Sequence, residues 1–492
     1  MVGVPGRSKG CSTCRKRRKG CDRARPVCTQ CSNAGLECGG YERERVFLND
    51  TQGTRARAVA VVYRKALDHR FRTVTDITLP NGLAQTAYVE KYISIFLTKY
   101  FPAGRAPAAN CLASSRDCIE IAHGLHTSDK AIQLSLLSLG LFAAGESHHA
   151  IQSYGRALCK LRTALCVPYQ AQNDTTLATC QLLSFIEIFH GNAEEDALLQ
   201  GSKWLSHLGG LLALICARTP YAYQSGVRHQ LFAEARYPLL VSALKDRQRF
   251  PLNTPEWRTL PWEKEPKSSV DKIYDLIADL TEILADTDEM RCCDDLTQRT
   301  DMRWGVWAAC QRLDESLQDW AEEAGPLTKF HDSNGRLKKP SGPSDMLLAH
   351  MTVWYWTVYT ILYSTLISIH DSSPSEIPSN INPQPYLRNV ANALPYFWSS
   401  GAGMSGANLA ASPWGFCLHV AWATPYRFPE ETALLEQYAW QKDITGNVLP
   451  FLSSIQRSSA GPSLAKLEGK EGMILRAQSW MMGNTNSANP VP

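Results

Sequence analysis

Residues 10–41 read GCSTCRKRRKGCDRARPVCTQCSNAGLECGGY and hold six of the sixteen cysteines in the 492-residue chain: Cys11, Cys14, Cys21, Cys28, Cys31 and Cys38. The gaps between them are two, six, six, two and six residues, so two halves share one internal spacing. Cys-x-x-Cys pairs hold zinc as thiolates, and zinc prefers four sulfur ligands. Six thiolates satisfy two Zn²⁺ ions if two thiolates bridge both metals. The spacing therefore predicts a pseudo-twofold binuclear zinc cluster.

A run of five cations follows the second cysteine: Arg15, Lys16, Arg17, Arg18 and Lys19. So dense a positive charge is tolerated where it faces phosphate, and Arg and Lys also donate to guanine O6 and N7 in the major groove. The run therefore predicts a short DNA-binding helix that stops at Gly20. A solvated surface and a nuclear-import signal are the alternative interpretations, and import is compatible with DNA binding.

Charge and cysteine usage divide the chain in the same way. Residues 1–45 carry eleven Lys and Arg against four acidic residues, a net charge of +7, whereas the whole chain carries +4, so the other 447 residues sum to −3. This asymmetry indicates a polyanionic partner for the N-terminal part. The first forty residues have no apolar signal-peptide core, so we expect a reducing, intracellular compartment in which clustered cysteines bind metal.

The six-cysteine segment resembles the DNA-binding domain of fungal binuclear zinc-cluster transcription factors. The resemblance implies two short helices around two zinc ions, with the first and fourth cysteines, Cys11 and Cys28, as the bridges. Pro26 matches the proline of the loop between the halves, where a cis peptide bond is expected. This chain departs from the family at Gly20, where many members carry a lysine.

The same resemblance implies a DNA site and a role for each cation. The family reads GC-rich, CGG-like triplets in the major groove through the positions of Arg17 and Arg18. Arg15, Lys16 and Lys19 would then contact mainly phosphates.

The rest of the chain is predicted to be helical, because apolar residues recur every three or four positions. The helices predicted in this way cover residues 86–100, 129–145, 147–165, 175–189, 204–217, 271–284, 303–320 and 347–369. No period-two strand pattern occurs, so we predict an all-α fold: the small zinc cluster with its two short helices, followed by a large helical domain. Residues 351–369 carry no charge, but they include six Ser or Thr and lack flanking Lys or Arg clusters. They predict a buried helix and no membrane span.

The predicted organisation is a cluster domain at 1–40, a basic linker at 41–82, a helical regulatory domain at 83–460 and a flexible C-terminal tail at 461–492. The linker has at most one apolar heptad, which predicts no coiled coil and leaves a homodimer, if formed, to other contacts. Residues from about 85 to 460 also resemble the helical fungal-specific transcription factor domain. The stretches that carry this likeness are YGRALCKLRTAL at 154–165, WLSHLGGLLAL at 204–214 and FPLNTPEWRTLPW at 250–262. The likeness implies a regulatory role and a small-molecule effector.

An enzyme is the rival class of function. The chain has no HExxH and no Gly-rich phosphate loop, and GMSGA at 403–407 lacks the last glycine of a nucleophile elbow. Five aromatic residues at helical spacing predict core packing rather than a ligand cage; they are Trp354, Tyr355, Trp356, Tyr359 and Tyr363.

The sequence therefore predicts no enzyme but a nuclear, sequence-specific DNA-binding transcription regulator of RNA polymerase II genes. Its partners would be double-stranded DNA and the transcription machinery. The alternative hypothesis is a zinc-stapled interaction protein whose basic helix binds RNA or an acidic protein.

Overall fold

α-Helices supply the regular structure of this protein. The computed structural model describes residues 10–39, 82–102, 104, 117–189, 197–370, 378–424, 426–439, 451–452 and 469–482. No β-strand occurs among these residues. They contain an isolated antiparallel β-bridge between His331 and Leu337. The prediction of an all-α fold is confirmed.

The chain divides into two compact units, Met1–Thr75 and Asp76–Pro492. The first contains two short helices, α1 (Ser12–Lys16) and α2 (Thr29–Ser32), as predicted for the cluster. The linker expected at 41–82 lies outside the described residues except for Gly82, which begins the first helix of the second unit.

The second unit is a large helical body. Its described residues form sixteen α-helices: α3 (Gly82–Tyr100), α4 (Cys118–Leu125), α5 (Lys130–Ala143), α6 (Ser147–Leu165), α7 (Pro168–Ala171), α8 (Asp174–Phe189), α9 (Ala197–Cys216), α10 (Gly226–Asp246), α11 (Pro255–Thr259), α12 (Ser269–Cys292), α13 (Leu296–Ala324), α14 (Pro343–Ile369), α15 (Gln384–Phe397), α16 (Gly403–Ala423), α17 (Pro429–Ala439) and α18 (Gly469–Met482). Short 3-10 helices lie at Pro220–Tyr223 and Leu260–Trp262.

Local sequence signals explain where several of these helices begin. Asp129 caps α5, because its carboxylate accepts the N–H groups of Ala131 and Ile132 at 2.7 and 3.1 Å. Ser268 and Asp271 form a reciprocal capping box at the start of α12. Capping satisfies the first N–H groups, which have no partner inside the helix.

The uncharged stretch at 351–369 is the main part of α14, and most of its side chains are buried. The hydroxyls of Thr352, Thr357 and Thr360 donate to carbonyls four residues earlier in the helix, at 2.7–2.8 Å. These bonds satisfy the three threonine hydroxyls where the helix lies inside the body. The prediction of a buried helix is confirmed, and none of the helices in the described part has the length and apolarity to cross a membrane.

The aromatic residues of α14 pack in the core of the body. Trp354 and Tyr359 are almost fully buried, and the ring of Tyr359 stacks on that of Tyr386 at a centroid distance of 4.4 Å. The core interpretation of this aromatic stripe is therefore confirmed. Residues 403–407 form the first turns of α16, where the buried Ser405 hydroxyl donates to the Ala402 carbonyl. This serine lies in no strand–turn–helix elbow.

The prediction of a flexible tail at 461–492 is wrong for residues 469–482, because these residues form α18, which packs on the body. Ala477 is fully buried, and the Trp480 indole N–H donates to the Lys245 carbonyl at 2.8 Å. The Arg247 guanidinium lies 5.3 Å from the centre of the Trp480 ring. Residues 461–468 and 483–492 lie outside the described residues.

Close backbone approach between α3 and α5 yields a testable prediction. A Cβ at Gly140 would lie 2.2 Å from the Tyr92 carbonyl oxygen, so Gly140→Ala must push the helices apart. We expect it to destabilise the protein by about 1–3 kcal/mol, as overpacking does. The matched control is Gly209→Ala in α9, where a Cβ meets open space and should stabilise the helix by about 0.5–1 kcal/mol. Urea unfolding followed by tryptophan fluorescence measures both. A Gly140→Ala midpoint at or above that of the unaltered protein would contradict this account of the contact.

Candidate metal centre and nucleic-acid interface

The first unit brings all six predicted cysteines into two groups of four sulfurs. In each group the Sγ atoms lie within 4.8 Å of one another. One group is Cys11, Cys14, Cys21 and Cys28, and the other is Cys11, Cys28, Cys31 and Cys38. Cys11 and Cys28 belong to both groups, which is the bridging pair implied by the resemblance.

The sulfur distances fit zinc. Cys11 Sγ lies 3.6 Å from Cys28 Sγ and 3.7 Å from Cys31 Sγ, and Cys14 Sγ lies 3.6 Å from Cys28 Sγ. A tetrahedral site with Zn–S bonds of about 2.3 Å has sulfur–sulfur edges of about 3.8 Å. The same distances are far longer than a disulfide bond of about 2.05 Å, and the six cysteines are free. The residues present therefore fit a cluster of two zinc ions.

The pKa values of these thiols and the repulsion between their thiolates also favour the binding of divalent cations. Burial raises the pKa of the Cys14 thiol to about 12 and also raises the pKa of Cys28. Six neighbouring thiolates would repel one another, and zinc coordination offsets that repulsion by stabilising the deprotonated form. Metal binding and folding of this small unit are therefore coupled, since its buried core consists of the cysteines themselves.

Each bridging cysteine stands just before a helix and caps it. The backbone N–H of Cys14 donates to Cys11 Sγ at 3.3 Å, and that of Cys31 donates to Cys28 Sγ at the same distance. Both bonds run from a cysteine to the one three positions earlier. The repeated Cys-x-x-Cys spacing thus builds the same helix start in both halves, which accounts for the pseudo-twofold arrangement.

Hydrogen bonds tie α1 to the end of the cluster segment. The Ser12 hydroxyl donates to the Gly39 carbonyl at 2.7 Å, and the Thr13 hydroxyl donates to the Glu37 carbonyl at 2.9 Å. The Gly39 N–H in turn donates to Thr13 Oγ1 at 2.9 Å. These contacts hold Cys38 close to the bridging pair, and the sequence analysis did not identify them.

Gly39 is therefore predicted to matter for zinc retention. A Cβ at this position would lie 2.2 Å from Ser12 Oγ, so Gly39→Ala displaces the hydroxyl and breaks its bond to the Gly39 carbonyl. Losing one such bond costs about 1 kcal/mol, or about fivefold in apparent zinc affinity. Competition with a zinc chelator measures the change. Gly20→Ala serves as the control, because a Cβ there meets no atom within 4 Å. Equal zinc affinities for the two variants would contradict the prediction.

The loop between the halves is held by Asp22. Its carboxylate accepts the Thr29 N–H at 3.1 Å and also the Thr29 hydroxyl. The hydroxyl bond is the main cause of a lowered pKa at Asp22. The Arg25–Pro26 peptide bond is cis, which confirms the expectation drawn from the resemblance.

The basic segment starts in α1 and continues into a left-handed turn. The helix ends at Lys16, and Arg18 has a φ of 53°, in the left-handed region. The Lys19 N–H closes the helix on the Cys14 carbonyl at 3.1 Å, as in a Schellman motif. The prediction that Gly20 stops the helix is wrong by two residues, because Arg18 adopts the left-handed conformation that usually favours glycine. Lys16, Arg17, Arg18 and Lys19 are all exposed.

Comparison with known proteins gives one finding for this segment. Residues 9–45 match the fungal Zn(2)-Cys(6) binuclear cluster domain, which contains all six cysteines and the five cations. No curated protein and no solved structure matches the chain. The N-terminal unit thus carries a zinc-binding domain of the DNA-binding type used by fungal transcription regulators. The likeness of residues 85–460 to the fungal-specific transcription factor domain stays a prediction.

Proposed function

We propose that the protein is a nuclear, sequence-specific transcription regulator of RNA polymerase II genes that reads GC-rich, CGG-like triplets through the segment Arg15–Lys19. Arg17 and Arg18 donate to guanine in this proposal, and Arg15, Lys16 and Lys19 bind phosphates. The helical body acts as the regulatory domain, and the transcription machinery is the protein partner.

One observation carries the proposal: four of the cations beside the cluster have no acidic partner among the described residues. In the described part of the chain, no carboxylate forms an ion pair with Lys16, Arg17, Arg18 or Lys19, although all four are exposed. Adjacent unpaired cations repel one another, and phosphate contact relieves that repulsion.

The shape of the segment also supports the proposal. The five-residue helix α1, in which the segment starts, spans about 7.5 Å, and the major groove is about 12 Å wide. Cys14 anchors the segment on one side and Cys21 on the other, so zinc coordination would hold the cations in one place. A preorganised basic surface of this size favours a base-reading role over diffuse charge attraction.

The deciding experiment is selection of bound sequences from a random duplex library with the full, zinc-loaded chain. We expect enrichment of a GC-rich triplet. Paired triplets at a fixed spacing would indicate a homodimer, and a single triplet would indicate a monomer. Equal recovery of all duplexes, or a preference for RNA in a parallel RNA selection, would overturn the proposal. The RNA result would favour the interaction-protein hypothesis.

A further inference from the structure

The helical body contains a cavity of about 620 Å³ that is partly open to solvent. Its walls come from several helices of the second unit: the end of α3, the start of α4, the middle of α8, α9 and α10, the starts of α12 and α14, the end of α13 and the first half of α16. This volume lies within the range of small-molecule sites, about 300–1,000 Å³. All the residues that line the cavity belong to the second unit. None of them belongs to the zinc cluster or to the basic segment.

One end of the cavity is acidic. Asp117, Glu120 and Glu234 line it there. Asp117 is held in place, since its carboxylate accepts the Tyr100 hydroxyl at 3.0 Å and the Ile119 N–H at 2.8 Å. Glu234 differs from it: within the part of the chain that the structure describes, no cation and no hydrogen-bond donor contacts its carboxyl group.

The two lysines in the lining form ion pairs with carboxylates other than that of Glu234. Lys267 pairs with Asp275, and Lys272 pairs with Glu323. Both lysines thus already have a carboxylate partner. Neither lysine is therefore available to Glu234.

Three buried polar atoms in the lining have no hydrogen-bond partner among the described residues, and one of them is the Tyr237 hydroxyl. The indole N–H of Trp204 and Oε1 of Gln181 make no hydrogen bond to any described residue, although these side chains are only 2 and 4% exposed. The other end of the Gln181 amide is satisfied, since its Nε2 donates to the Leu231 carbonyl at 2.6 Å. A buried polar atom without a partner destabilises the fold unless a ligand or water meets it. The donor and the acceptor are both available to a bound molecule.

The walls next to these groups are aromatic. Tyr100, Phe185, Trp204, Tyr237 and Tyr274 line the same cavity. Aromatic faces attract cations, and they also bury the apolar body of a ligand. An acidic end combined with aromatic walls is suited to an ammonium group with a hydrophobic body.

The raised pKa values of Glu234 and Asp117 are consistent with a site that binds a cation. Burial, followed by the charges of Asp117, Asp271 and Glu120, raises the pKa of Glu234 well above its usual range. Burial raises the pKa of Asp117 as well. A cation beside these carboxyl groups would offset both causes.

The geometry favours an organic cation over a metal ion. Among the described residues, the groups of three or more potential ligands that converge closely enough to hold a metal are the two cysteine quartets. The carboxyl groups of the cavity are spread too far apart for that. A single carboxylate can still attract one ammonium group, which does not need several ligands converging on one point.

We propose that this cavity binds a small organic cation, an amine joined to an aromatic or apolar body, with the ammonium group at Glu234. The Trp204 indole N–H and Gln181 Oε1 then meet polar groups of the same ligand. The site is independent of the DNA-binding proposal, because it uses residues of the helical body alone.

Three probes with one carbon skeleton test the proposal on the full, zinc-loaded chain: 3-phenylpropylamine, 3-phenylpropanol and 3-phenylpropionate. Ligand-observed NMR titration measures each affinity. We expect the amine to bind with a dissociation constant of about a millimolar, as its small size allows, and at least about tenfold more tightly than the alcohol or the acid. Equal binding of the three, a preference for the acid, or no binding of the amine would overturn the proposal.

Charge-neutral variants locate the site. Glu234→Gln should weaken amine binding at least about tenfold and leave alcohol binding unchanged. Glu322→Gln is the matched control, since this exposed residue on α13 does not line the cavity and the charge change is the same. If the Glu234→Gln variant bound the amine as tightly as the unaltered chain, the assignment of the ammonium site to Glu234 would be wrong. The comparison of the three probes on the unaltered chain decides the ligand class even if that variant fails to fold.

Discussion

Replacing Cys28 by alanine is expected to cost the protein both of its zinc ions. Cys28 Sγ belongs to both sulfur quartets, so its loss leaves three protein ligands at each metal. Structural zinc supplies about 10–16 kcal/mol of apparent binding energy in small domains, and that energy also drives their folding. The cluster should therefore unfold and DNA binding should be lost. Zinc released from the purified chain under denaturing conditions, quantified with a chromophoric chelator, measures the stoichiometry.

Two further cysteine variants serve as controls for this result. Cys38→Ala removes a ligand from one quartet and leaves the other intact, so it should retain about one zinc ion. Cys166→Ala changes an exposed cysteine of the helical body and should retain both. Two zinc ions in the Cys28→Ala protein would show that Cys28 is not a shared ligand.

Replacing Arg18 by asparagine should impair recognition of the selected DNA sequence far more than general DNA binding. Asparagine tolerates the left-handed backbone that Arg18 adopts, so the change removes the guanidinium without adding strain. Losing a bidentate contact to guanine costs about 1–3 kcal/mol, which raises the dissociation constant about 5- to 150-fold. Fluorescence anisotropy with the selected duplex and with a scrambled duplex measures both affinities.

Lys16→Ala is the matched comparison, because it removes one exposed cation from the same segment. As a phosphate contact, Lys16 should contribute equally to both duplexes, and its loss should lower the salt dependence by about one unit of slope. If Arg18→Asn weakened the two duplexes equally, Arg18 would be a phosphate contact and not a base-reading residue.

The metal site could be predicted from the sequence because ligand spacing is a local property. Each Cys-x-x-Cys places two sulfurs at the start of a helix, where the later N–H reaches the earlier sulfur. The contacts of Ser12, Thr13 and Gly39 could not be predicted in this way. They join positions about 25 residues apart and depend on how the chain returns to α1.

The helical class of the body was predictable, but several helices were not. α10, α15 and α16 each contain an internal proline, at Pro238, Pro395 and Pro413, and proline normally breaks a helix. The fold tolerates these prolines because tertiary packing outweighs local propensity. The cavity was not located for a related reason. Gln181, Trp204 and Glu234 lie on three different helices, and only packing brings them to one cavity.

The docking of α18 decides where the body can safely be shortened. A chain that ends before residue 469 would lose the Trp480 indole, which contacts the Lys245 carbonyl, the Arg247 guanidinium and the Phe416 ring. The uncovered surface would combine an apolar patch with a buried arginine, a combination that promotes aggregation. Protease digestion of the native protein should therefore leave residues 469–482 attached to the body by noncovalent contacts, even after cleavage upstream of the helix.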